Sequence, residues 1–164
     1  MVSIEQLLLN TIPILQAESQ RHGVHLTLSN PHRDTHVMAN KILLERILIN
    51  LIANALDAIK ADPASVASPA IVIQTHIHFN GTQPLWTLSV SDNGPGISSD
   101  ILTRVSQPFQ STKETGLGVG LALANLMLRM WQGTLSVHNK SQEEGRGAVV
   151  SIQIPLHALT ATHG

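Results

Sequence analysis

The amino-acid sequence predicts an α+β protein built as a two-layer α/β sandwich, in which a mixed β-sheet carries helices on one face. Long segments with apolar residues every three or four positions indicate helices, and short alternating segments indicate half-buried strands. Their order is helix, strands, helix, hairpin, loop, helix and hairpin, which does not fit a doubly wound parallel sheet. The 164 residues are 43% hydrophobic, which is enough for one core.

Four helices are predicted from apolar spacing and from their end signals. The first covers 4–21, is distorted at Pro13, where a backbone hydrogen bond is lost, and ends at Gly23. The second begins after Asn40, whose side chain can cap it, and runs to about Lys60. The other two helices cover 99–104 and 119–131.

Six strands are predicted from alternating polar and apolar residues. They cover 24–29, 36–39, 70–79, 86–92, 134–139 and 148–155. Asn80-Gly81 joins the third and fourth strands as a hairpin, and the hydrophilic turn 140–147 joins the last two. We expect one domain over 1–158, followed by a frayed tail over 159–164.

Composition excludes several classes of protein. Charged residues make up 13% of the chain and the net charge is −1, unlike a disordered chain or a basic nucleic-acid-binding domain. Cysteine is absent, which excludes disulfides, thiolate metal sites and a cysteine nucleophile. The apolar runs fall far short of the ~20 residues that span a bilayer, and the N-terminus lacks the basic start of a signal peptide. We expect a soluble cytoplasmic domain that contacts neither nucleic acid nor membrane, and the cytoplasmic portion of an inner-membrane sensor fits this expectation.

The second helix carries a polar stripe that suggests a binding surface. Asn50, Asn54 and Asp57 lie at i, i+4 and i+7, opposite the apolar face of that helix. Asparagine is a poorer helix former than lysine or glutamate, so the stripe is an unusual choice for a solvent face. An ordinary exposed stripe explains the pattern equally well, and both interpretations stay open.

Two glycine-rich segments indicate a site where a ligand approaches the backbone. Asp92 ends an apolar strand and is followed by Gly94 and Gly96, a pattern that a tight turn would also use. Further along, three alternating glycines precede a helix, whose N-terminal N–H groups can bind phosphate. The P-loop string is absent, and the spacing of the three glycines does not fit the dinucleotide-binding fingerprint.

Taken in order, these motifs resemble those of the ATP-binding catalytic domain of bacterial sensor histidine kinases. That domain is one branch of the superfamily of gyrase, chaperone, kinase and mismatch-repair ATPases. The strings Asn-Ala-Leu-Asp-Ala and Ser-Thr-Lys look most like the nitrogen-regulatory and dicarboxylate-sensor kinases. The matching residues are Asn50 and Asn54, then Asp92, Gly94 and Gly96, then Pro108 and Phe109, then Gly116, Gly118 and Gly120, and finally Gly145 and Gly147.

The resemblance implies a site for ATP and Mg²⁺. Asp92 would accept a hydrogen bond from the adenine amino group, and Asn54 would coordinate Mg²⁺. Asn50 stands where hydrolysing members have a glutamate base, which implies phosphoryl transfer rather than hydrolysis. Glu45 is a candidate for assisting the acceptor histidine. Segment 106–115 would form a lid over the nucleotide, and the further residues implied in nucleotide binding are Ile97, Phe109, Thr112, Lys113, Leu117, Val119, Leu121 and Ser151.

The chain also departs from the family pattern. Asp57 stands where many kinases have a basic residue that contacts phosphate, so that contact would come from Lys113 or Lys60. None of the nine histidines lies in a phosphoacceptor motif. We therefore expect a monomeric catalytic part that binds ATP and ADP and needs a separate phosphoacceptor histidine domain, with a response regulator downstream.

Three alternatives are weighed against this interpretation. One is a serine kinase of the anti-sigma-factor type, and another is a nucleotide-binding module without catalysis. A third concerns metal binding, because His76 and His78 share one strand face and could ligate zinc. Exposed strand residues are the simpler explanation of that histidine pair.

Overall fold

The computed structural model describes residues 1–106 and 117–156, and these form an α/β sandwich. The helices are α1 (Ile4–Arg21), α2 (Lys41–Ala61), α3 (Ser99–Ser106) and α4 (Leu117–Arg129), with a short 3₁₀ turn at Pro63–Ser65. The strands are β1 (Val2–Ser3), β2 (His25–Ser29), β3 (His36–Val37), β4 (Ala70–Asn80), β5 (Gln83–Asp92), β6 (Thr134–Asn139) and β7 (Ala148–Pro155). The predicted tail over 159–164 lies outside the described residues.

The main sheet has five strands in the order β2-β4-β5-β7-β6. β2 and β4 are parallel, and the other neighbouring pairs are antiparallel. The prediction of a mixed sheet is therefore confirmed. A separate two-stranded sheet pairs Val2 with Val37. Its second strand lies within the predicted strand 36–39, but β1 was not predicted, because two residues are too few to show an alternating pattern.

The core lies between one face of the sheet and the helices. In β7, side chains at every second position from Ala148 to Ile154 are buried, while those between them are half-buried. In β4, Ile71 and Ile73 are fully buried and Val72 between them is exposed. α1, α2 and α4 pack on the buried face, which we call the inner face. The opposite, outer face carries mostly polar side chains.

The helix ends follow the predicted signals. The Oδ1 atom of Asn40 accepts a hydrogen bond from the backbone N–H of Leu43 at 3.1 Å, which caps α2. Pro13 lies within α1 without interrupting it, and its side chain is exposed. α4 begins and ends two residues earlier than predicted, and Trp131 belongs to the turn that follows the helix.

Candidate functional site

A small apolar cavity of about 160 Å³ lies between α2 and the carboxyl end of β5. Two polar side chains line it, Asn54 from α2 and Asp92 from the last position of β5. Small residues on α2 leave the space, since a longer side chain there would fill it. The lining residues are Leu51, Asn54, Ala55, Ala58, Ala61, Val90, Asp92, Pro95, Gly96, Ile97, Ala148 and Val150. The structure thus brings together four residues that the sequence predicted as a site: Asn54, Asp92, Gly96 and Ile97.

Asp92 is a buried carboxylate that keeps one oxygen for a ligand. It is only 5% exposed. Its Oδ1 atom accepts hydrogen bonds from the backbone N–H of Gly94 at 2.9 Å and of Ala148 at 3.4 Å. Its Oδ2 atom accepts none from the described residues. A buried carboxylate is an acceptor-only group, so the cavity presents one strong acceptor to a donor that enters it.

The electrostatic environment of Asp92 raises the pKa of its carboxyl group. Burial is the largest cause, because removal from water disfavours the charged form. The amides of Gly94 and Ala148 and the charge of Lys140 oppose the shift. A perturbed carboxylate in a cleft is typical of a functional site, since a purely structural position would favour an uncharged residue.

Two glycines allow the backbone around Asp92 to pack closely. Gly147 has a φ of +121°, and a Cβ atom there would lie 1.9 Å from the carbonyl oxygen of Asp92. Gly96 has a φ of +84°, and a Cβ atom there would lie 3.0 Å from Oδ1 of Asn139. The predicted glycine motifs are therefore needed to build the cavity, independently of any ligand.

Two asparagines that sequence reasoning missed hold the loop after β5. Asn139 accepts from the N–H of Ile97 and donates to its carbonyl oxygen, both at 2.7 Å. Asn93 accepts from the N–H of Ala70 at 2.8 Å and donates to the carbonyl oxygen of Ser68 at 2.7 Å. The available signal was local, because asparagine is unfavourable in strands yet here ends or follows one.

The polar stripe of α2 is divided between the site and the solvent. The Nδ2 atom of Asn54 is buried and has no hydrogen-bond partner among the described residues. Asn50 lies beside the first turns of α4, since a Cβ atom at Gly120 would be 3.8 Å from its Cγ atom. The side chain of Asp57, by contrast, is 74% exposed, and its Oδ1 atom lies 4.0 Å from the Nζ atom of Lys60. The binding-surface interpretation suits the two asparagines, and the exposed-stripe interpretation suits Asp57.

Three predicted residues are not brought to the cavity. Ser151 pairs with Ser89 and Ser136 on the outer face, because side chains alternate along β7; the structure does not bring it to the cavity as predicted, and Val150 lines the cavity instead. Glu45 accepts a hydrogen bond from Thr11 of α1 at 3.4 Å. Leu121 is 2% exposed and belongs to the core.

Several other predictions concern the segment before α4 and the first turn of that helix. The predictions for Phe109, Thr112, Lys113 and Gly116 lie outside the described residues. The same holds for the side chains of Leu117 and Val119, whereas the backbone of Gly118 lies in the first turn of α4.

No second site emerges from the histidines. The rings of His76 and His78 lie 5.8 Å apart on the outer face, and the Nδ1 atom of His78 is 3.2 Å from Oγ1 of Thr87. Within 1–106 and 117–156, no group of three or more histidine, aspartate or glutamate residues could hold a metal ion. In the same part of the chain, no helix has the length and apolarity needed to cross a membrane.

Comparison with known proteins agrees with this geometry. A family model described as histidine kinase-, DNA gyrase B- and HSP90-like ATPase matches residues 39–158. The chain belongs to this ATPase family. The C4-dicarboxylate transport sensor protein DctB of Pseudomonas aeruginosa is 34% identical, over 99% of the chain and 25% of that protein. The signal transduction histidine-protein kinase AtoS of Escherichia coli is 28% identical, over 95% of the chain and 24% of that protein.

The architecture of this ATPase-family chain is also that of solved kinase domains. The catalytic domain of the histidine kinase ThkA, in a nucleotide-free form, superposes with a TM-score of 0.73 at 21% identity, covering 94% of this chain and 93% of that one. The predicted fold class is therefore confirmed. The chain spans about a quarter of the length of the two curated relatives.

Proposed function

We propose that this chain is the ATP-binding catalytic domain of a sensor histidine kinase. In this role it transfers the γ-phosphoryl group of Mg·ATP to a histidine on a separate dimerisation domain, and a response regulator accepts the group next. The observation that carries the proposal is the buried Asp92, which lines an apolar cavity beside Asn54 and whose Oδ2 atom accepts no hydrogen bond from the described residues. The domain would act in the cytoplasm, as a monomer when isolated.

The cavity suits an adenine ring in shape and in hydrogen bonding. Ala55, Ala58 and Val150 give it apolar walls, which favour a planar ring over water. The Oδ2 atom of Asp92 can accept a hydrogen bond from the exocyclic amino group of adenine. Guanine would present a carbonyl oxygen at that position, and two acceptors would face each other. Adenine is therefore the base that the cavity favours.

The α2 side of the cavity suits the phosphates and their metal ion. The amide oxygen of Asn54 is a hard ligand of the kind that Mg²⁺ takes, and its orphaned Nδ2 atom can donate to a phosphate oxygen. Mg²⁺ supplies charge neutralisation to the phosphates when it is bound. Asn50 lies near the start of α4 and cannot accept a proton from water, so this side chain favours transfer over hydrolysis.

Histidine is favoured over serine as the acceptor. Relatives of this chain bear the names of a histidine-protein kinase and of transport sensor proteins, which supports the histidine kinase over the anti-sigma-factor type. Asp92 and Asn54 both line the cavity. A metal ligand such as Asn54 adds nothing to adenine recognition, so its presence supports a domain that binds the nucleotide and also catalyses transfer.

Two measurements test the proposal. Calorimetric titration of this chain with ADP and with a non-hydrolysable ATP analogue should show micromolar binding that Mg²⁺ strengthens. The chain is then incubated with labelled ATP and the dimerisation domain of the related P. aeruginosa DctB. Label on that domain that is lost in acid and kept in base identifies phosphohistidine. Acid-stable label would identify a serine kinase, and absence of nucleotide binding would overturn the proposal altogether.

A further inference from the structure

We propose that Asn139 is a positioning residue for adenine, which holds residues 95–97 across the cavity and thereby sets nucleotide affinity. This inference rests on the proposed function. Asn139 is the last residue of β6, is itself exposed, and does not line the cavity. It therefore acts through Ile97, which does line it.

The side chain of Asn139 pairs with one backbone unit in both directions. Its Oδ1 atom accepts from the N–H of Ile97 and its Nδ2 atom donates to the carbonyl oxygen of the same residue, both at 2.7 Å. These two bonds satisfy the N–H and the carbonyl oxygen of Ile97, as a neighbouring strand would do, and they join residues that are 42 positions apart in the sequence. Two short bonds to one residue fix its orientation as well as its position.

The close approach of Asn139 explains the glycine beside Ile97. A Cβ atom at Gly96 would lie 3.0 Å from Oδ1 and 3.4 Å from Cγ of Asn139, and the φ of Gly96 is +84°. The amide of Asn139 thus lies in contact with the place where a side chain at position 96 would project. The absence of a side chain at Gly96 therefore leaves the space that the amide of Asn139 occupies.

The loop after β5 is held at both ends, and Asn139 holds the far end. At the near end, Asn93 binds the backbone of Ala70 and Ser68. Pro95, Gly96 and Ile97 lie between or at these anchors and form part of the cavity wall. Without Asn139, the far end would lose its anchor, and the wall would have to be ordered when the nucleotide binds. That ordering cost would appear as weaker binding.

The test compares Asn139→Ala with Asn30→Ala. Asn30 accepts a hydrogen bond from the buried Thr75 of β4, and neither of these two residues lines the cavity. Both variants should lower Tm, but only Asn139→Ala should raise the Kd for ADP, by about tenfold. Hydrogen exchange of the Ile97 amide should accelerate in Asn139→Ala alone. The affinity for inorganic tripolyphosphate with Mg²⁺ should stay at the wild-type value, because tripolyphosphate has no adenine ring.

Phosphotransfer gives a second readout that a purely structural role would not produce. Asn139→Ala should raise the KM for ATP and leave kcat unchanged. Wild-type ADP affinity in Asn139→Ala would overturn the inference, and so would an equal loss in Asn30→Ala. These results leave the proposed function intact. Failure of the wild-type chain to bind ADP would overturn both.

Discussion

The two sides of the cavity differ in how completely their polar groups are paired. On the sheet side, Asp92 Oδ1 takes two backbone amides, and Asn139 and Asn93 each make two bonds to the backbone. On the α2 side, the Nδ2 atom of Asn54 is buried without a partner among the described residues. A paired group stabilises the fold, whereas a buried unpaired one destabilises it until a ligand satisfies it.

This difference shows which part of the site is already formed before a ligand binds. The sheet side has the bonding of a structural element and offers a preformed wall for adenine. On the α2 side, the Nδ2 atom of Asn54 lacks a hydrogen-bond partner among the described residues. This suits a surface whose polar groups are satisfied only when phosphates and Mg²⁺ bind. Substitutions that break the close packing or the backbone hydrogen bonds of the sheet side should therefore lower stability, while those on the α2 side should affect binding with little loss of stability.

The largest effect is expected where the sheet side packs most closely. Gly147→Ala would place Cβ 1.9 Å from the carbonyl oxygen of Asp92, so the backbone must move. We expect the free energy of unfolding to fall by about 4 kcal/mol or more, measured by urea denaturation. Gly145→Ala is the control, because its φ of +93° is strained but nothing lies within 4 Å. It should cost only about 1–2 kcal/mol. Equal losses in the two variants would contradict the close packing.

Asp92→Asn should separate the two functions of the carboxylate. The Oδ1 bonds to Gly94 and Ala148 can persist in asparagine, so the fold is kept. At Oδ2 an NH₂ group would meet the amino group of adenine, and ADP affinity should fall about tenfold to a hundredfold. Calorimetry measures the affinity, and thermal unfolding without nucleotide serves as control. A variant that binds ADP as tightly as the wild type would remove the adenine assignment.

Asn54→Ala should weaken Mg·ADP binding by about tenfold and abolish the increase in affinity that Mg²⁺ gives. The Tm without ligand should not fall, because the substitution removes an unsatisfied buried donor and introduces a better helix former. Asn10→Ala, at an exposed position of α1, is the control for helix propensity. A Tm lowered by several degrees in Asn54→Ala alone would show that its amide is structurally paired, which would contradict the comparison.

The sequence predicted those parts of the site that rest on local patterns. The glycine spacing and the strand-ending Asp92 indicated the sheet side, and the i, i+4 spacing of Asn50 and Asn54 indicated the α2 side. Asn139 was missed, because its bonds to Ile97 join side chain and backbone across 42 positions, and no local pattern encodes such a pair.

The misplacement of Ser151 has a different cause. The alternation of β7 already places Ser151 on the face opposite Val150, and the buried positions of the strand are the apolar ones. The prediction for Ser151 rests on a family position, which disagrees with this alternation. The inner and outer faces of a strand are the more dependable guide, because register fixes them physically.

The smallest expected effect is a pH-dependent change in thermal stability that the buried carboxyl group of Asp92 causes. Burial raises the pKa of this carboxyl above its ordinary value of 3.8, so the folded state holds the proton more tightly than the unfolded state. Stability from the protonated form is fully present below that ordinary value and is lost as pH rises through the raised pKa. Asp92→Asn, which does not titrate, should therefore gain in Tm relative to the wild type as pH rises above 3.8.

Nucleotide affinity should change in the opposite direction over the same range. Protonation of Asp92 at low pH weakens its capacity to accept, so ADP binding to the wild type should weaken as pH falls, while Asp92→Asn stays weak throughout. Thermal unfolding and ADP titration of both proteins across the range measure the two trends. If the difference in Tm does not vary with pH, the burial of Asp92 does not shift its titration. The fold would then favour the charged and the protonated carboxyl group equally, and the charge of Asp92 would carry no stability cost.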